Sequence, residues 1–137
     1  METETNRALH RLLDANLNRL REGIRVVEDI TRYLFNHPSF ALRLKTLRHQ
    51  ARISRESELL ASRESTHDVL RATQSNELVR DNVSDLLVAN FKRAQESARV
   101  LEEALKLTSK EASERFKSIR YELYTLEKEV REFHGAC

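Results

Sequence analysis

Two stretches of the chain place the same polar side chains at the same spacing. ANLNRLREGIRVVED covers Ala15 to Asp29, and ANFKRAQESARVLEE covers Ala89 to Glu103. Both read A-N-x-x-R-x-x-E-x-x-R-V-x-E, and each shared residue recurs 74 positions later, as Asn16 does at Asn90. An amide, a guanidinium and a carboxylate three residues apart on a helix share one flank. Such a set suits a phosphate-bearing ligand. Arg19 and Arg93 would supply charge, Asn16 and Asn90 would hydrogen-bond it, and Glu22 and Glu96 would accept from its amino or hydroxyl groups.

A bundle core offers another use for these residues. On a wheel of about 100° per residue, Asn16 points into the sector of Leu13, Leu20, Ile24, Val27 and Leu34, with Arg19 and Val26 at its edge. Asn16 and Asn90 could then bond each other across the bundle and fix its register. Glu22 and Glu96 could pair with arginines on their own helices. Gly23 and Ser97 occupy matching positions, and their small side chains suit a close helix crossing as well as ligand access. Of the two uses, the residues alone favour the structural one.

Other chemistry finds little support. Glu64 and His67 have the E-x-x-H spacing of a di-iron carboxylate site, but they lack a second copy and fall in a non-periodic stretch. None of the histidines forms an H-x-x-x-H pair, and Gly23 and Gly135 cannot build a phosphate-cradling loop. Bound phosphate must therefore be held by side chains and helix N-termini. Six cations and no acid lie between Ile30 and Arg55, among them Lys45 and Arg48. They form either a solvated helix face or an anion-binding surface.

The elements that must position these groups are helical. Two glycines and one proline in 137 residues leave little room for hairpin turns, and 39% of the chain is apolar. The leucine stripe predicts a first helix from Asn6 to about Phe35. Pro38 suits the first turn of a second, which carries Phe40, Leu44, Leu47 and Ala51 and fades near Leu60. Residues 62–75 lose periodicity and form the one loop long enough to suggest function. A third helix is expected from about Asn76 to Leu107. Thr108 to Glu111 reads as a T-x-x-E capping box opening a fourth, which reaches about Phe133.

The repeat continues on the second and fourth helices, where Lys45 and Arg48 match Lys117 and Arg120. The expected fold is all-α: a single-domain four-helix bundle of two similar hairpins, about 6–61 and 76–134, with approximate internal twofold symmetry. A homodimer exchanging one arm is the alternative arrangement. The 24 Lys+Arg against 22 Asp+Glu argue against a nucleic-acid partner. No apolar run is long enough for a membrane span, and the lone Cys137 suits a reducing compartment, so a cytoplasmic protein is expected.

Together, ANLNRLREGIRVVED, LKTLRHQA, ANFKRAQESARVLEEALKL and IRYELYTLEKE resemble the small helical hydroxymethylpyrimidine-phosphate kinases of thiamine biosynthesis. Members of that family occur alone or fused ahead of a thiamine-phosphate synthase domain. The likeness runs from about Leu12 to Glu129. It implies ATP-dependent transfer to hydroxymethylpyrimidine phosphate, with Mg²⁺, and a thiamine-phosphate synthase as partner. Arg63, Glu64, Ser65, Asp68 and Val69 resemble the family's R-D-T-x-x-D-V-G element, departing from it at Glu64, Ser65 and Leu70. The resemblance implies Arg63 on phosphate and Asp68 near the metal, with Lys45, Arg48, Lys117 and Arg120 as further phosphate contacts or as a salt-bridged surface. The competing reading is a non-catalytic helical module that docks on a thiamine-biosynthetic enzyme.

Overall fold

The computed structural model describes residues 3–73 and 79–136, all helix, turn or loop without strands. Five helices are present among them: α1 (Glu4–Asp29), α2 (Pro38–Gln50), α3 (Glu56–Ser62), α4 (Val83–Leu105) and α5 (Lys110–Ala136). Thr3 caps α1 by accepting from the Asn6 amide, and His37 caps α2 through Nδ1 and the Phe40 amide.

The first helix ends in a wider turn, Ile30–Leu34, in which the Phe35 amide donates to the Ile30 carbonyl. One extra residue in that turn rotates the side chains beyond it. Leu34, expected in the apolar sector, is exposed, whereas Ile30 is buried. Asn36 then takes a left-handed φ of 50°, which asparagine tolerates better than most residues, and the chain reverses into α2.

The second helix is shorter than its expected extent to Leu60. It stops at Gln50, and α3 follows after a break. The apolar pattern explains why. Continuing the Phe40–Leu44–Leu47–Ala51 stripe would bring Arg55 and Glu58 inward and aim Ile53 at solvent. Breaking the helix buries Ile53 and lets α3 seat Leu59 against α1. The third long helix starts at Val83, capped by Asn82 and the Asp85 amide. The expected start near Asn76 lies outside the described residues, as does Cys137, and residues 79–82 are not helical. At α5 the capping oxygen belongs to Ser109, which accepts from the Ala112 amide, and not to Thr108, whose amide still bonds back to Leu105.

The long α1 and α4 pack on each other, α2 covers α1, and α5 covers α4. The core between them holds Leu20, Ile24, Leu44, Phe91, Leu101, Phe116 and Leu123, all out of water. Arg43 of α2 ties to α5 through Glu122 at 3.0 Å and Glu129 at 2.6 Å. None of the described helices is long and apolar enough to cross a membrane.

Candidate functional site

The repeated residues meet where α1 crosses α4. A Cβ on Gly23 would sit 3.1 Å from the Asn90 carbonyl oxygen and 3.4 Å from the Ala94 Cβ, so the helices approach closely here and a side chain larger than alanine would force them apart. Asn16 and Asn90 do not bond each other. Each donates to a carbonyl of its own helix, Asn16 to Leu12 at 3.0 Å and Asn90 to Leu86 at 2.9 Å. Across the crossing, Asn16 and Arg19 share a surface groove of about 410 Å³ with Arg93, Glu96 and Ser97. The exposed Arg19 and Arg93 side chains have no ion-pair partner among the described residues. Two unpaired guanidiniums in one groove have the chemistry to receive an anion.

A second groove, also about 410 Å³, lies between α1 and the loop that follows α3. Arg63 anchors the loop through a two-pronged contact, Nε and Nη2 each donating at 2.8 Å to the buried Asp14 carboxylate. Hydrogen bonding to Asp14 and its negative charge hold the Arg63 guanidinium above its ordinary pKa, with Glu22 adding to the field. Arg11 adds a second strap, donating to the Glu64 carbonyl at 2.8 Å. Leu12, Ala15, Asn18, Ser65 and Asp68 line the groove, and Arg19 closes it on the side facing α4. Arg19 therefore lines both grooves.

The remaining expected contacts lie elsewhere. Arg48 donates through Nε to the buried Glu28 at 2.7 Å, and Arg120 donates to the buried Glu102 at 2.9 Å. Both guanidiniums are thus already neutralised, in equivalent pairs of the two repeats. Lys45 lines a separate hollow beside Arg32 and His37, and Lys117 is exposed on α5. Glu22 lies outside the α1/α4 groove that Glu96 lines.

No cluster of three metal-ligating side chains occurs among the described residues. Asp68 accepts from the Leu70 amide through Oδ1, which leaves its other oxygen available. One carboxylate of this kind fits Mg²⁺ that arrives on nucleotide phosphates, and does not fit an all-protein cage.

Asp14, Arg11 and Asn18 line the candidate site without belonging to any motif of the sequence. Their positions in the second repeat hold Val88, Asp85 and Lys92. Asn18 falls on a variable position of the repeat and Arg11 and Asp14 precede it, so the repeat carried no signal for them.

Residues 11–129 match the ThiD2 family. The chain belongs to that family. Among the relatives of this ThiD2 chain is a thiamine-phosphate synthase of Nostoc punctiforme, 38% identical over 90% of this chain and 36% of the relative. Thiamine-phosphate synthases of Thermosynechococcus vestitus, at 41% over 87% and 34%, and Rhodopirellula baltica, at 34% over 95% and 36%, are similar. The ThiD2 chain thus spans about a third of the length of the curated relatives it matches. No solved structure matches it.

Proposed function

We propose that this ThiD2 chain acts in thiamine biosynthesis as an ATP-dependent kinase that converts hydroxymethylpyrimidine phosphate to its diphosphate. The observation that carries the reading is Arg19, an unpaired guanidinium shared by two abutting grooves. Phosphoryl transfer needs two phosphate-bearing ligands held in line with their charge neutralised. An oxygen of the acceptor phosphate, already anionic, bonds to the γ-phosphorus as the bond to the bridging β–γ oxygen breaks, and ADP leaves with the electron pair. No general base is required.

Arg19 and Arg93 hold the equatorial oxygens, where charge is spread in transit. Arg63, fixed by Asp14, sets the loop that carries Asp68. Mg²⁺ when bound would neutralise phosphate charge, with Asp68 as its protein ligand. The four long helices are read as two related hairpins, which would bring the paired arginines together by duplication.

The test is ADP release from purified protein given ATP, Mg²⁺ and hydroxymethylpyrimidine phosphate, against a control without acceptor. Acceptor-dependent release lost in Arg19→Ala and Arg93→Ala supports the kinase. Folded protein that releases no ADP rejects it in favour of a docking module. The synthase names of the longer relatives favour that second reading.

A further inference from the structure

We infer that the two grooves divide the ligands by charge: the α1/loop groove takes an amino-substituted nitrogen heterocycle carrying one phosphate, and the α1/α4 groove takes the polyphosphate chain of the nucleotide. The inference rests on the phosphotransfer reading and assigns each ligand its place.

The two grooves differ in chemistry. The α1/loop groove has an apolar wall, Leu12 and Ala15, where a flat ring can shed water. Its rim carries acceptors. Glu64 accepts from the His67 amide through Oε1, leaving its other oxygen for an amino group. Asn18 offers an amide that can both donate to a ring nitrogen and accept from an amino group, and its contact with Asp14 is long, at 3.5 Å. With Asp14 neutralised by Arg63, the charges left are Glu64 and Asp68 against Arg11 and Arg19. That balance gives a bare triphosphate no net attraction and accommodates a ring whose single phosphate reaches Arg19.

The α1/α4 groove has the opposite balance. Lys92, Arg19 and Arg93 line it against a single carboxylate, Glu96. Lys92 is partly engaged by Glu127 at 3.3 Å, so the two arginines dominate. A polyanionic chain neutralises such a surface. Because Arg19 borders both grooves, the acceptor phosphate and the γ-phosphate would meet at this residue.

Calorimetric titration separates the two assignments. Hydroxymethylpyrimidine phosphate and a non-hydrolysable ATP analogue with Mg²⁺ are titrated singly into the full chain and two variants. Ala15→Trp fills the α1/loop groove from an exposed position, so folding is expected to persist, and a melting curve checks it. It is expected to weaken the heterocycle by about tenfold or more and leave the nucleotide within about twofold. Arg93→Ala is expected to do the reverse, weakening the nucleotide by about tenfold or more. Swapped or equal losses for the two ligands overturn the division while leaving the kinase reading intact. Wild-type protein that binds neither ligand overturns both.

Discussion

Arg120 donates to Glu102 through Nε at 2.9 Å and comes within 2.8 Å through Nη2, with both side chains under a tenth exposed. Arg48 and Glu28 repeat that relationship between α2 and α1. Glu102→Ala strands the Arg120 charge and is expected to cost about 3 kcal/mol. Glu102→Leu combined with Arg120→Met removes both charges and should recover most of that loss. Urea unfolding of the three proteins decides the matter: a single variant as stable as wild type would falsify the role assigned to the pair.

Glu127 joins α5 to α4. Burial raises its pKa, but hydrogen bonds from Gln95 and Arg131 and the charge of Lys92 outweigh burial and leave it below the ordinary glutamate value. A carboxylate depressed on folding contributes stability that is fully present above its unfolded pKa and lost as pH falls through its folded pKa. Stability should therefore decline below about pH 4.3, and Glu127→Gln should decline less steeply there. Melting temperatures from pH 3 to 7 read the difference; parallel curves would exclude Glu127 as a contributor.

Gly23 sets the spacing of α1 and α4. Gly23→Val brings a branched side chain onto the Asn90 carbonyl and is expected to destabilise by about 2 kcal/mol. Gly23→Ala gains about 1 kcal/mol of helix propensity against the 3.1 Å contact, so its net effect should be small. Guanidinium unfolding of both variants tests the crossing. Equal stability for valine and glycine would show that the helices can part freely.

Asp14 is the anchor of the loop. Asp14→Ala releases the Arg63 fork and should raise amide exchange across residues 63–71 by about tenfold. Exchange in the α4 core should stay unchanged, which separates loop release from general unfolding. If the chain is the proposed kinase, the same variant should raise the KM for the heterocycle more than that for ATP. Unchanged loop exchange would mean that Arg11 alone holds the loop.

Much of the fold was legible in the chain because helical periodicity is local. The leucine stripe on α1, Pro38 at the start of α2 and the Phe40–Ala51 stripe each rest on residues within a few turns. The break after Gln50 was present in the pattern too, in Ile53 and Leu59 falling off that stripe. The wider turn at Ile30–Leu34 was not, since an extra residue in a turn leaves no mark in composition or spacing.

The sequence by itself determined that Asn16, Arg19, Asn90 and Arg93 recur at matched positions, because a repeat and a helical period are properties of the chain alone. Tertiary structure decided which charges are free. Arg48, Arg63 and Arg120 look on a helical wheel or in a loop much like Arg19 and Arg93. The first three meet carboxylates 20, 49 and 18 residues away in the chain, Glu28, Asp14 and Glu102. Arg19 and Arg93 face a groove. A wheel gives the direction of a side chain, but an ion pair depends on what the packing of another element places in front of it.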